Sequence, residues 1–179
     1  ITANITSQES GIGIVILNYF NGSGWTNTTM TMENDLYVAT IPVLPYGTTV
    51  QYKVYASNDF GNWAETDTSS YTVTDTIPPD IAPVQWSPKK PSPSEGVLVS
   101  TQVSEPAFAS GIKNVTLLWS VNGKKILSLT MIMEDDVWKA TIPGQSDDTR
   151  VFFSIESYDD AGNCAKSQWY GYTVKAAAT

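Results

Sequence analysis

Thr29–Pro42 reads TMTMENDLYVATIP, and Thr130–Pro143 reads TMIMEDDVWKATIP. The two phrases stand 101 residues apart, and their surroundings repeat as well. The triplet SGI at Ser10 returns at Ser110. TVQYKVYASNDFGN (Thr49–Asn62) returns as RVFFSIESYDDAGN (Arg150–Asn163), and YTV at Tyr71 returns at Tyr172. The offset is 100 before the first hairpin and 101 after it. One inserted residue inside a strand would turn every later side chain to the other face, so the slip is expected in a turn, at NGSGW against NGKK. The chain is therefore a tandem duplication whose copies fold by the same rules.

Within a copy the hydrophobic period is two, not 3.6. Val115, Leu117, Trp119 and Val121 share one face. Asn122-Gly123 follows, and both residues accept the positive φ of a tight hairpin turn. Leu127, Leu129, Met131 and Met133 alternate back, and Val151, Phe153 and Ile155 alternate again. Gly162-Asn163 closes that strand and WYGYTV supplies the last. No useful helical stretch appears. Short alternating strands separated by turns predict an all-β fold, two antiparallel sandwiches in tandem.

Composition narrows the function. The 179 residues carry 41% hydrophobic residues, with six Trp and nine Tyr, which is the composition of a folding chain. Formal net charge is −8, and the ten basic residues are scattered, so phosphate backbones and anionic membrane surfaces are repelled. No apolar run approaches the ~20 residues that span a bilayer. The first residue is Ile1, with no starting Met and no signal peptide, as in a processed form or a piece of a longer chain. The single cysteine, Cys164, has no partner for an internal disulfide and reads as a small buried hydrophobe in preference to a reactive or intermolecular thiol. Histidine is absent, which removes the commonest general base and His-ligated metals. One cysteine cannot build a zinc site, and no Gly-rich phosphate loop occurs. The expectation is no enzyme, no cofactor and no metal.

The stretch LPYGTTVQYKVYASNDFG (Leu44–Gly61) resembles the fibronectin type III signature: a Pro-Gly-Thr turn, a Tyr-led strand, then Ala, Asn and Gly. The wider pattern of DTIPPDIAPV, SGIKNVTLLWS, a Met-rich strand, ATIP, and DDAGN before a final YTV resembles the Ig-like repeats of archaeal and bacterial cell-surface proteins. The second copy departs from it with Gln145-Ser146-Asp147-Asp148 where the first has its Pro-Gly turn. The reading gives residues 1–75 as the first sandwich and 76–79 as a linker stiffened by Pro78 and Pro79. Residues 80–175 form the second sandwich and 176–179 a tail.

The second copy opens with IAPVQWSPKKPSPSEGVLVSTQV. It reads as an edge strand (Val84, Trp86), a Pro-rich turn and a core strand, Val97–Val103. The first copy has only ITANIT in that place, which matches the core strand, so its own edge strand is missing. Three apolar side chains at ~1.5–3 kcal/mol each give ~5–9 kcal/mol. That approaches the whole stability of a domain, ~5–15 kcal/mol. The gap is expected to be filled, either by upstream residues or by a strand donated from a neighbouring molecule. Ile1 and Ile5 line that edge. An outward row of Ile12, Ile14 and Ile16 on GIGIVILNY reads as a second interface feature.

Four Asn-X-Ser/Thr sequons, at Asn4, Asn21, Asn27 and Asn114, fall outward by alternation and are candidate glycosylation sites. The acidic tips Glu33/Asp35 and Glu134/Asp135/Asp136, and the pair Asp159/Asp160, offer oxygen ligands for Ca²⁺ or paired carboxylates. Their place at strand ends favours turns instead. Trp25, Trp63 and Trp169 near turns offer stacking surfaces for sugars, but each sandwich already needs several large side chains, which favours core or interface packing for them. The resemblance implies a non-catalytic extracellular module of a cell-surface assembly, such as a surface layer, stalk or filament. Its partners would be further copies of itself or adjacent Ig-like domains, and glycans. The rival reading is a carbohydrate-binding accessory module of a secreted hydrolase or protease.

Overall fold

The computed structural model describes residues 1–8 and 10–176, so part of the expected tail, 177–179, lies outside the described residues. The chain divides into two compact units, Ile1–Thr74 and a second beginning at Asp75. The described residues form strands and turns without a helix, and no helix is long and apolar enough to cross a membrane. Each unit is an antiparallel β-sandwich.

The first unit contains β1 (Thr2–Ala3), β2 (Ile12–Phe20), β3 (Trp25–Thr29), β4 (Thr31–Glu33), β5 (Leu36–Val38), β6 (Thr49–Asn58), β7 (Trp63–Glu65) and β8 (Ser69–Thr72). The second contains β9 (Asp80–Ile81), β10 (Gln85–Ser87), β11 (Val97–Thr101), β12 (Val103–Ser104), β13 (Ile112–Val121) and β14 (Leu127–Thr130). It continues with β15 (Ile132–Glu134), β16 (Val137–Ile142), β17 (Arg150–Asp159), β18 (Cys164–Lys166) and β19 (Tyr170–Thr173).

One sheet is the same in both units. It runs β3-β2-β6-β7 with β8 also on β6, and β14-β13-β17-β18 with β19 also on β17. The other sheet differs. It has three strands in the first unit, β1-β5-β4, and four in the second, β10-β11-β16-β15. The register confirms where the repeat slips. Tyr19 pairs with Thr26, and Trp119 with Leu127, so the extra residue lies within the hairpin loop.

The Met-rich strand does something that alternation does not reveal. It pairs in one sheet as β3 or β14, then crosses to the other as β4 or β15. Met30 and Met131 stand at the crossing and are buried between the sheets. Beyond the crossing, Met32 and Met133 are exposed, as is Leu127 before it. The acidic tips then close two-residue hairpins. Asn34-Asp35 and Asp135-Asp136 all have positive φ, the backbone of a type I′ turn, which Asn and Asp tolerate. Asn122 and Gly123 also take positive φ, and Asp148 does so where the first unit has Gly47.

Candidate functional site: the open edge of the first unit

Ile1, Thr2 and Ala3 set one side of the site. Ile1 donates its terminal ammonium to the Ala39 carbonyl (2.8 Å), while the Ala39 amide donates to the Ile1 carbonyl. Thr2 pairs with Val38 and Ala3 with Tyr37. In the second unit Val99, Ser100 and Thr101 pair with Ala140, Lys139 and Trp138. Ile1, Thr2 and Ala3 are therefore the structural equivalents of Val99, Ser100 and Thr101. Their outer edges differ. β11 is covered by β10, with Trp86 opposite Val99 and Gln85 opposite Ser100. Among the described residues, nothing pairs with the outer edge of β1.

The space is open where the second unit places an aromatic side chain. In the second unit Trp86 packs edge-on against Phe153 (ring centroids 5.3 Å) and against Tyr170 (5.5 Å). Their counterparts in the first unit are Tyr52 and Ser69. Both line an open groove of about 520 Å³ with Ile1, Thr2, Ala3, Asn4, Val54 and Thr66. A neighbouring hollow of about 310 Å³ shares Ala3, Asn4, Val54 and Thr66 and adds Ile5, Ala56 and Ala64. A third, of about 210 Å³, continues past Ile5 and Ala56 to Ile12 and Trp63. The second unit fills the corresponding course with Ile81, opposite Val103, and with buried Val84 and half-buried Trp86. The floor is built alike in both units. The Val54 amide donates to Thr66 Oγ1, and the Ile155 amide to Ser167 Oγ. At the rim, Lys53 donates to Glu65 (2.9 Å) and holds that carboxyl below its ordinary range.

The structure treats the remaining expected residues unevenly. Ile1 and Ile5 are half-buried against the first core, beside the groove. Ile12 is not part of an outward row. A β-bulge between Ile12 and Val15 shifts the register and turns Ile12 toward the core. Ile14 is 41% exposed and Ile16 half-buried. Asn4, Asn27 and Asn114 are exposed. Asn21 is half-buried, and its Oδ1 accepts from the Ser23 and Gly24 amides, so it holds its own turn. Asn27 Oδ1 accepts from Asn18 Nδ2. Trp25, Trp63 and Trp169 are 51%, 56% and 50% exposed, and Trp25 leans on Phe20. Trp25 on β3 and Trp63 on β7 stand at opposite ends of one sheet, and Trp169 lies beside β19 in the second unit. Cys164 is half-buried, with its thiol toward the Ala165 carbonyl.

A second constellation lies in the second unit, and the sequence reading missed two of its three members. Asp75, Glu105 and Asp159 bring carboxylate oxygens within 4.8 Å of one another. Asp75 accepts from the amides of Ser110 (2.8 Å) and Ile77 (3.0 Å), which hold its carboxyl below the ordinary range. Glu105 Oε2 accepts from the Gly111 amide (2.6 Å). Burial, more than the neighbouring acids, pushes the Glu105 carboxyl up. Asp159 is fully buried and accepts twice from Asn163. The three come from distant parts of the chain, so no local motif announces them.

No protein-family model matches the sequence, and the search of curated proteins finds no match. Solved structures to which the chain is similar include BhCBM56, 15% identical with a TM-score of 0.35 over 44% of this chain and 78% of that one, and fibronectin III and Ig-like domains. The chicken CNTN1 FN1–FN3 domains are 17% identical, with a TM-score of 0.46 over 93% of this chain and 56% of that one. The fibronectin(III)-like modules of Clostridium thermocellum CbhA are 16% identical, TM-score 0.41, over 97% and 83%. The amphioxus IgVJ-C2 molecule is 10% identical, TM-score 0.48, over 97% and 96%.

Proposed function

We propose that this chain is a non-catalytic, extracellular structural module of a cell-surface assembly, and that its first unit is completed by a further β-strand, supplied by upstream residues of a longer chain or by a neighbouring subunit. The observation that carries the reading is the unpaired edge of β1 beside an open groove of mixed polar and apolar lining, set against the same edge covered by β10 in the second unit. An unpaired strand edge is a template for pairing. Main-chain hydrogen bonds to that edge give affinity, and pockets for alternate side chains give selectivity. The second unit supplies the specification. The incoming strand runs antiparallel to β1, with an aromatic residue opposite Ile1 and an apolar residue opposite Ile5, as Trp86 and Ile81 stand opposite Val99 and Val103. Glycans at Asn4, Asn21, Asn27 and Asn114 belong to the same reading.

A fusion tests it. Placing a copy of Ile81–Ser87 and a short turn ahead of Ile1 closes the groove within one chain. Sedimentation velocity should show concentration-dependent association of the natural chain and a monomer for the fusion. A natural chain that stays monomeric with a stably folded first unit refutes strand donation.

The exposure of Trp25, Trp63 and Trp169 favours a second reading, a carbohydrate-binding module. It requires saturable binding of a soluble glycan that is lost in Trp25→Ala or Trp63→Ala.

A further inference from the structure

We propose that the second unit binds one hard divalent cation, calcium above all, between the carboxylates of Asp75, Glu105 and Asp159. The inference is independent of strand acceptance, because all three residues belong to the other unit.

Two observations carry it besides the gathering of acids. The first is an oxygen with nothing to do. Glu105 Oε1 exposes less than 1 Å² and has no hydrogen-bond partner among the described residues. A buried carboxylate oxygen left unmatched is costly, more so beside other negative charges. The Glu105 carboxylate also shares its 4.8 Å cluster with those of Asp75 and Asp159, like charge gathered beside like charge. The four ion pairs among the described residues are Lys53–Glu65, Lys139–Glu134, Lys166–Glu156 and Lys175–Asp148. None of them brings a basic side chain to this cluster.

The second observation is the duplicated unit, which acts as an internal control. Asn58 of the first unit holds the equivalent position to Asp159. Its neutral amide oxygen accepts from the Phe60 and Asn62 amides and closes the same loop. Asp159 Oδ1 accepts from the Asn163 amide in the same way. The turn therefore needs an oxygen at this position, not a charge. The second unit nonetheless buries a full carboxylate there and brings two more beside it.

The donor set selects the ion. All candidate ligands are oxygen, and calcium takes oxygens at about 2.3–2.6 Å. Ligands on opposite sides of such an ion stand about 4.6–5.2 Å apart, which accommodates the 4.8 Å span of the cluster. Water completes the shell on the half-buried side of Asp75 and Glu105. Asp75 is where the chain enters the second unit, and its backbone carbonyl already accepts from Asn163 Nδ2. A bound ion would clip that entry to the loop of Glu105 and the end of β17.

Isothermal titration of the metal-stripped full chain with calcium chloride tests the site. The expected result is one saturable site, with a dissociation constant of about 10⁻⁴–10⁻³ M, the range of extracellular modules. Asp159→Asn, which copies the first unit's own residue, and Glu105→Gln should each weaken it at least tenfold while circular dichroism stays native. Calcium should also raise the melting temperature of the natural chain above that in sodium chloride of equal ionic strength, a readout that needs no variant. No saturable heat at millimolar calcium together with no melting shift overturns the proposal. Undiminished binding by both variants overturns it equally.

Discussion

Met30 and Met131 stand where a strand leaves one sheet for the other, and an unbranched, adaptable side chain fills the irregular space between layers. Met131→Ala should cost the second unit about 2–5 kcal/mol, read from chemical denaturation. Met133→Ala, at an exposed position of the same parity, should cost under about 0.5 kcal/mol. Parity was legible in the sequence; the crossing that buries one Met and exposes the next was not, because alternation is blind to a change of partner. Glu105 gives a prediction of opposite character. Burial, then Asp159 and Asp75, raise its carboxyl above the ordinary 4.5. A raised acid contributes stability that is complete below its unfolded value and is lost as pH rises through its folded one. In calcium-free buffer the second unit should therefore weaken as pH rises from 4.5 toward neutrality, and Glu105→Gln should flatten that slope in melting curves. The lowered carboxyls of Asp75 and Asp148 act in a separate window, losing their contribution as pH falls below 3.8.

The hairpins β4–β5 and β15–β16 show why an acidic tip is not by itself a binding loop. Asn34, Asp35, Asp135 and Asp136 occupy left-handed backbone that most side chains resist. Asp136→Gly should hold or raise stability, whereas Asp136→Val should lower it by about 1–2 kcal/mol in the same denaturation measurement. These turns were readable from Asn and Asp at strand ends. The bulge at the start of β2 was not, since nothing in GIGIVI marks where two residues will face one, and it moves Ile12 from the expected outward row to the core. The cluster of Asp75, Glu105 and Asp159 was hidden for a related reason. Only the packing of loops around β17 brings these residues together, and sequence spacing carries no trace of it.

At the scale of the molecule, duplication was the most legible feature, and it aligned ITANIT with the core strand of the second copy, where β1 forms. Among the described residues, the first core gathers six buried residues and the second thirteen, so the first unit should unfold at the lower temperature. Scanning calorimetry of the full chain with the peptide IAPVQWS, the sequence of Ile81–Ser87, tests the central claim most directly. The account predicts two transitions, with the peptide raising the lower one in a saturable way, by roughly 4–8 °C for each kcal/mol of binding, and leaving the upper one in place. A scrambled peptide should do nothing. A lower transition that ignores the peptide, or a first unit already as stable as the second, would contradict the claim that its edge stands open to a strand.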